Sequence, residues 1–169
     1  MKKINFLQIG CVLYFILFYV AYSIAEEDKS INIDGTYVLK SRVLADGTVL
    51  KPPDILGLYS VSKGHVNFNL MLKNKDGKIH STSSIGRIKL SSKEFNEEII
   101  YRMTNDEIHG KGVVYDFKKK TGTSAVKIKD GKIEFMYPIF NDIYGVFDGD
   151  KFTATRIDGT YIDNWIKVK

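Results

Sequence analysis

From residue 33 onward the chain alternates apolar and polar positions. Val66, Phe68, Leu70 and Leu72 share one face, and Asn67, Asn69 and Lys73 take the other. The same period sets Ile99, Tyr101 and Met103 against Glu98, Ile100 and Arg102, then Val113, Tyr115 and Phe117 against Val114 and Asp116. It returns in Ile133, Phe135 and Tyr137 against Glu134 and Met136, and in Phe152 and Ala154 against Thr153 and Thr155. A period of two gives an extended chain one face to bury. Twelve extended pieces follow, at about 35–44, 47–51, 56–62, 65–73, 78–90, 96–103, 111–118, 123–130, 132–138, 143–147, 150–157 and 161–168. Some are halves of one bent strand, so the expected count is nine or ten.

Turn chemistry supports this division. Asp-Gly occurs six times, at 34–35, 46–47, 76–77, 130–131, 148–149 and 158–159, and tight hairpins favour the pair because their turns need positive φ. No helical period runs past two turns. The one helix candidate, Ser91 to Glu98, has a serine cap before acidic residues and reads as a short turn at best. An all-β chain of short strands with no covering helix must close on itself to remove its edges. The expected fold is a single antiparallel up-and-down β-barrel of about eight to ten strands, over residues 33–169.

A barrel of that size is either filled by side chains or wide enough for one small ligand. The expected inward set is aromatic: Tyr37, Phe68, Tyr101, Tyr115, Phe117, Phe135, Tyr137 and Phe152. Such residues suit an apolar or flat ligand. They also suit a plain packed core, and the pattern leaves both open. Arg156 continues the Phe152–Ala154 face. Turned inward, its guanidinium could pair with a ligand carboxylate; at the rim, or stacked on Trp165, it would close the structure. The candidate ligand-binding residues are therefore Tyr37, Phe68, Tyr101, Tyr115, Phe135, Tyr137, Phe152 and Arg156. Trp165, the single tryptophan, lies on the last strand and is expected to be buried, plugging one end.

The N-terminus is a different object. Met1-Lys2-Lys3 precedes an apolar run from Ile9 to Tyr22, and Ser23-Ile24-Ala25 offers a small-x-small cleavage pattern before Glu26-Glu27-Asp28. Residues 1–25 read as an export signal and 26–32 as a linker. Left uncleaved, residues 4–25 are long enough to anchor the chain in the inner membrane with the domain facing the periplasm. Either way the domain is expected outside the cytoplasm, periplasmic or secreted. Cys11 is the only cysteine and lies in that segment. Lipidation there would reverse the usual order of apolar stretch and cut, and the mature domain has neither disulfide nor thiol nucleophile.

Charge says little about partners. The chain carries +5, with 25 basic and 20 acidic residues, and loss of Lys2 and Lys3 brings it to +3. That does not point to nucleic acid. Lys118-Lys119-Lys120 reads as a solvated turn. His65, His80 and His109 show no metal-ligand spacing, Ser81, Ser83 and Ser84 lack a nucleophile elbow, and Gly110-Lys111-Gly112 is too short to cradle a phosphate. No catalytic residue, metal or cofactor is assigned.

Three stretches carry a resemblance: Gly35-Thr36-Tyr37-Val38-Leu39-Lys40-Ser41, Asp46-Gly47-Thr48-Val49, and Gly57-Leu58-Tyr59-Ser60-Val61-Ser62-Lys63-Gly64-His65-Val66-Asn67-Phe68-Asn69-Leu70-Met71. In this order they resemble the bacterial lipocalin-like domain family, with Tyr37 where the lipocalin opening has Trp. The resemblance covers about 40 residues; Phe147 to Thr153 and Trp165 agree more loosely. It implies a calycin-type barrel and small-molecule binding, with no particular ligand.

Three functional classes follow. The first is a non-enzymatic cell-envelope protein holding a small apolar or amphipathic ligand. The second is a structural or protein-interaction module with a filled barrel, acting through the Ser81–Ser84 edge or the Lys118–Lys120 turn. The third is an isomerase or cyclase using Asp163, His65 or Arg156 at a barrel mouth.

Overall fold

A computed structural model describes residues 31–168; residues 1–25, expected from sequence to be an export signal, lie outside the described residues, as do Glu26 to Ser30 of the expected linker. Twelve strands follow one another: β1 (Gly35–Leu44), β2 (Val49–Leu50), β3 (Ile55–Ser62), β4 (His65–Lys73), β5 (Ile79–Leu90), β6 (Glu94–Asp106), β7 (Gly112–Asp116), β8 (Lys120–Lys129), β9 (Lys132–Met136), β10 (Ile143–Asp148), β11 (Lys151–Arg156) and β12 (Tyr161–Lys167). Every pairing is antiparallel. Ten strands form the wall in the order β12-β11-β10-β9-β8-β6-β5-β4-β3-β1, and β1 pairs β12 from Tyr37↔Lys167 to Leu44↔Tyr161, which closes the ring. The fold is the expected lipocalin-like up-and-down barrel. Short β2 and β7 lie off the ring, on β1 and β6.

The turns explain the meander. Asp130-Gly131 and Lys63-Gly64 place two consecutive residues at positive φ (52° and 77°, 48° and 75°), matching the twist of the strands they join. Asp34-Gly35 differs from the other Asp-Gly pairs: it leads into β1 rather than joining two strands. The Ser91 segment forms no helix. Ser91 Oγ accepts the Glu94 N–H (3.0 Å), and the Ser91 N–H donates to the Glu94 carbonyl (2.9 Å). The serine thus caps a hairpin turn, and β6 begins at Glu94 because Phe95, Glu97 and Ile99 keep the strand period. Ile31, assigned by its sequence to the linker, donates its N–H to Leu90 and packs on the core.

One end of the barrel, where β1 begins, is solid. Phe95 stacks on Phe135 (centroids 4.0 Å apart) and Phe147 on Phe152 (4.4 Å), with Tyr37 edge-on to Phe147 at 5.4 Å. Edge-to-face and offset contacts add to the burial of these rings. The Tyr37 hydroxyl donates to the Ile33 carbonyl (3.1 Å), tying the incoming chain across the floor.

Two β-bulges decide what faces the other end. In β1 the register slips between Leu39↔Trp165 and Ser41↔Asn164, leaving Lys40 without a partner. In β6 it slips between Ile99↔Gly86 and Tyr101↔Ile85, leaving Ile100. One extra residue moves every side chain beyond it to the other face. Tyr37 and Leu39 point inward, and past the bulge it is Arg42 that does so; Phe95, Glu97 and Ile99 point inward, and past theirs it is Arg102 and Asp106. Gly86 permits the second bulge, since a Cβ there would collide with the Glu98 carbonyl.

Candidate functional site

Beside and above the aromatic floor lies a cavity of about 400 Å³, partly open to solvent, within the size range of small-molecule sites. Its deep wall is apolar: Phe68, Leu70, Ile88, Ile99, Phe152 and Trp165 all contribute. Trp165 is 2% exposed. It plugs no end of the barrel; it sits midway, against Phe68 and Phe152 (6.0 and 6.1 Å). Gly57 makes room for it, because a Cβ there would stand 2.5 Å from the indole.

A polar group sits within this wall. Glu97 is inward-facing, and the Ile139 N–H donates to its Oε2 at 3.5 Å. Burial pushes its carboxyl up to about 7, the backbone hydrogen bond opposing the rise. The hydroxyls of Tyr59 and Tyr137 adjoin each other and feel the Glu97 charge; burial raises both well above the usual tyrosine value.

The mouth is charged by Arg42, Arg102 and Arg156; Arg87, which also lines the cavity, lies toward the floor end opposite His65. Arg42 meets Asp163 in a buried two-pronged pair, Nε to Oδ1 at 2.6 Å and Nη2 to Oδ2 at 2.7 Å. Arg87 pairs Glu98 at 3.1 Å on the outer side of the wall. Arg156 is shared by Asp142 (3.0 Å) and Asp158 (3.1 Å). Arg102 lies over the Phe140 ring at 4.8 Å and, among the described residues, has no carboxylate within ion-pair distance. Next to it, Asp106 Oδ1 stands 3.3 Å from His80 Nδ1 and 2.8 Å from His109 Nδ1. Burial raises the Asp106 carboxyl, but hydrogen bonds from His109 and His80 outweigh it and bring it down to about 2.

Among the described residues, Arg102 Nε and Trp165 Nε1 are buried without a hydrogen-bond partner, and the buried Tyr59 hydroxyl has only that of Tyr137 beside it. All three belong to cavity-lining residues. Buried polar atoms are nearly always paired, and each unpaired one costs roughly 1–3 kcal/mol. Their place around one cavity leaves their hydrogen bonds to water or a bound molecule.

Of the residues singled out by sequence, Phe68, Tyr137, Phe152 and Arg156 line the cavity. Tyr37 and Phe135 belong to the aromatic floor. Tyr101, Tyr115 and Phe117 do not face inward. The Ile100 bulge turns Tyr101 outward to meet Phe117 at 5.2 Å, and β7 lies off the ring, leaving Tyr115 59% and Phe117 73% exposed. Arg156 sits at the rim, held by aspartates rather than by Trp165. His65 begins β4 at the floor end, away from Asp163 and Arg156, so those three do not converge. The alternation alone does not single out Arg42, Tyr59, Glu97 or Arg102, two of them because a bulge reverses their face. Glu97 carried a signal, an acid on the inward parity of Phe95 and Ile99.

No protein-family model and no curated protein matches the chain. Among solved structures, the crystal structure of a lipocalin-like protein from Bacteroides uniformis ATCC 8492 is similar at 18% identity, over 80% of this chain and 98% of that one, with a TM-score of 0.31. The fold of this chain is defined by its own closed strand ladder.

Proposed function

We propose that this is an exported cell-envelope protein whose barrel holds a small amphipathic molecule, its apolar part against the aromatic wall and its polar part at the arginine-lined mouth. The observation that carries the reading is the cavity itself, half-hollow above a solid floor and ringed by unpartnered polar atoms. Export rests on the lysine start, apolar run and Ser23-Ile24-Ala25 of the first 25 residues, and places the domain in the periplasm or outside the cell, or on the inner membrane if the segment stays. A native mass spectrum of protein purified from its own envelope tests both halves. The expected species begins at Glu26 and carries a small-molecule adduct; bare, full-length protein from the cytoplasm contradicts both.

A second reading has its own observation. Tyr115 and Phe117, beside Tyr101, form an exposed aromatic patch next to Lys118-Lys119-Lys120, and such patches mark contact surfaces. A partner protein at β7 is compatible with an occupied barrel.

A further inference from the structure

Arg102 departs from the other arginines in a way the fold did not force. Asp116 stands directly opposite it in the β6–β7 ladder, close enough for a cross-strand ion pair. That carboxylate turns elsewhere, to the Lys118 N–H at 2.9 Å and Lys120 Nζ at 2.8 Å. Asp142, the other carboxylate acting on Arg102, is held by Arg156 at 3.0 Å. Arg102 instead turns into the mouth over Phe140, with its Nε buried and unpartnered. A half-buried guanidinium with no carboxylate in direct contact is costly, and its planar fork matches a carboxylate.

We propose that Arg102 is the counter-ion for the head group of the bound molecule, and that the ligand class is a monocarboxylate with an apolar tail. The proposal rests on the ligand-binding reading above and adds the charge and the residue that reads it. The tail lies along Phe68, Phe152 and Trp165, and the carboxylate meets Arg102 at the mouth. Among the described residues that line the cavity, Arg42, Arg87 and Arg156 are already committed to aspartate or glutamate, which leaves Arg102 as the arginine an anion can meet.

Trp165, the only tryptophan and part of the cavity wall, reports binding through its emission. The full-length chain is titrated with decanoate, decanol and decyl sulfate, each below its micelle concentration. The expected order is decanoate tightest, about ten-fold or more ahead of decanol, as befits one charge-assisted pair. Arg102→Met abolishes the ratio of decanoate to decanol affinity; Arg102→Lys restores part of that ratio, and Arg156→Met keeps most of it. Equal binding of decanoate and decanol overturns the proposal while leaving the cavity reading intact, as does loss of the gap in Arg156→Met alone. Decyl sulfate ahead of decanoate overturns the carboxylate assignment. No emission change with any of the three overturns the ligand-binding reading and this inference with it.

Discussion

Arg42 and Asp163, 121 residues apart, face each other across the β1–β12 seam and join through two hydrogen bonds of 2.6 and 2.7 Å. The pair therefore stands where the first and last strands complete the ring. Arg42 also lies over the Tyr161 ring at 3.8 Å. Burial raises the Asp163 carboxyl, and the Arg42 hydrogen bonds and charge oppose that rise. Removing one member strands a buried charge, a loss of about 3 kcal/mol or more. Asp163→Asn is expected to lower the urea midpoint by that amount, and Arg42→Met with Asp163→Leu to recover much of it. A single variant as stable as the parent contradicts this role for the seam pair.

Glu97 predicts a pH dependence of opposite sign to that of an ordinary paired acid. Its folded carboxyl titrates near 7, above the normal glutamate value, so the native state holds a proton the unfolded chain has lost. Between about pH 4.5 and 7, stability falls as pH rises, by up to about 3 kcal/mol for this group. Glu97→Gln removes that dependence. In urea melts it is expected to match the parent at pH 4.5 and exceed it at pH 8, whereas an equal offset at both pH values contradicts the assignment.

Gly57 is required by the indole it faces. A methyl group there meets Trp165 at 2.5 Å and Leu39 at 2.9 Å, and overpacking of this kind costs roughly 1–3 kcal/mol. Gly57→Ala is expected to lower the melting temperature and to shift Trp165 emission, because the ring must move toward the cavity. An unchanged spectrum contradicts the close approach.

The sequence pattern showed the barrel more fully than the site, for a physical reason. Twelve extended pieces, their hairpin turns and the antiparallel closure follow from the period of two and from Asp-Gly, which are local properties. Inward and outward faces are not local once a bulge intervenes. Carried straight through residue 100, the alternation puts Tyr101 inside and Arg102 outside; the ladder does the reverse, because Ile100 has no partner. Lys40 does the same for Arg42. Nothing in the residues themselves marks either bulge, although Gly86 opposite the second is a trace of it. Phe68, Tyr137 and Phe152 lie where no bulge separates them from the pattern that placed them.

The exposed aromatics on β7 and just after it give a separate expectation. Phe117 is 73% exposed, so Phe117→Ser is expected to change unfolding free energy by no more than about 0.5 kcal/mol while leaving ligand binding intact. If the patch contacts a partner, the same change releases that partner in a pull-down from the native envelope. A large loss of stability instead contradicts the placement of β7 outside the ring.

The central claim is that the hollow half of the barrel is occupied by a small molecule. The most direct measurement is native mass spectrometry of the parent and of Ala154→Phe, both purified from the native envelope. Ala154 lines the cavity next to Phe152 on β11 and opposite Asp163 on β12, and a phenyl group there fills ligand space. The account predicts one adduct of small-molecule mass on the parent and none on the folded variant. An adduct of equal occupancy on both proteins, or bare protein in both, contradicts it.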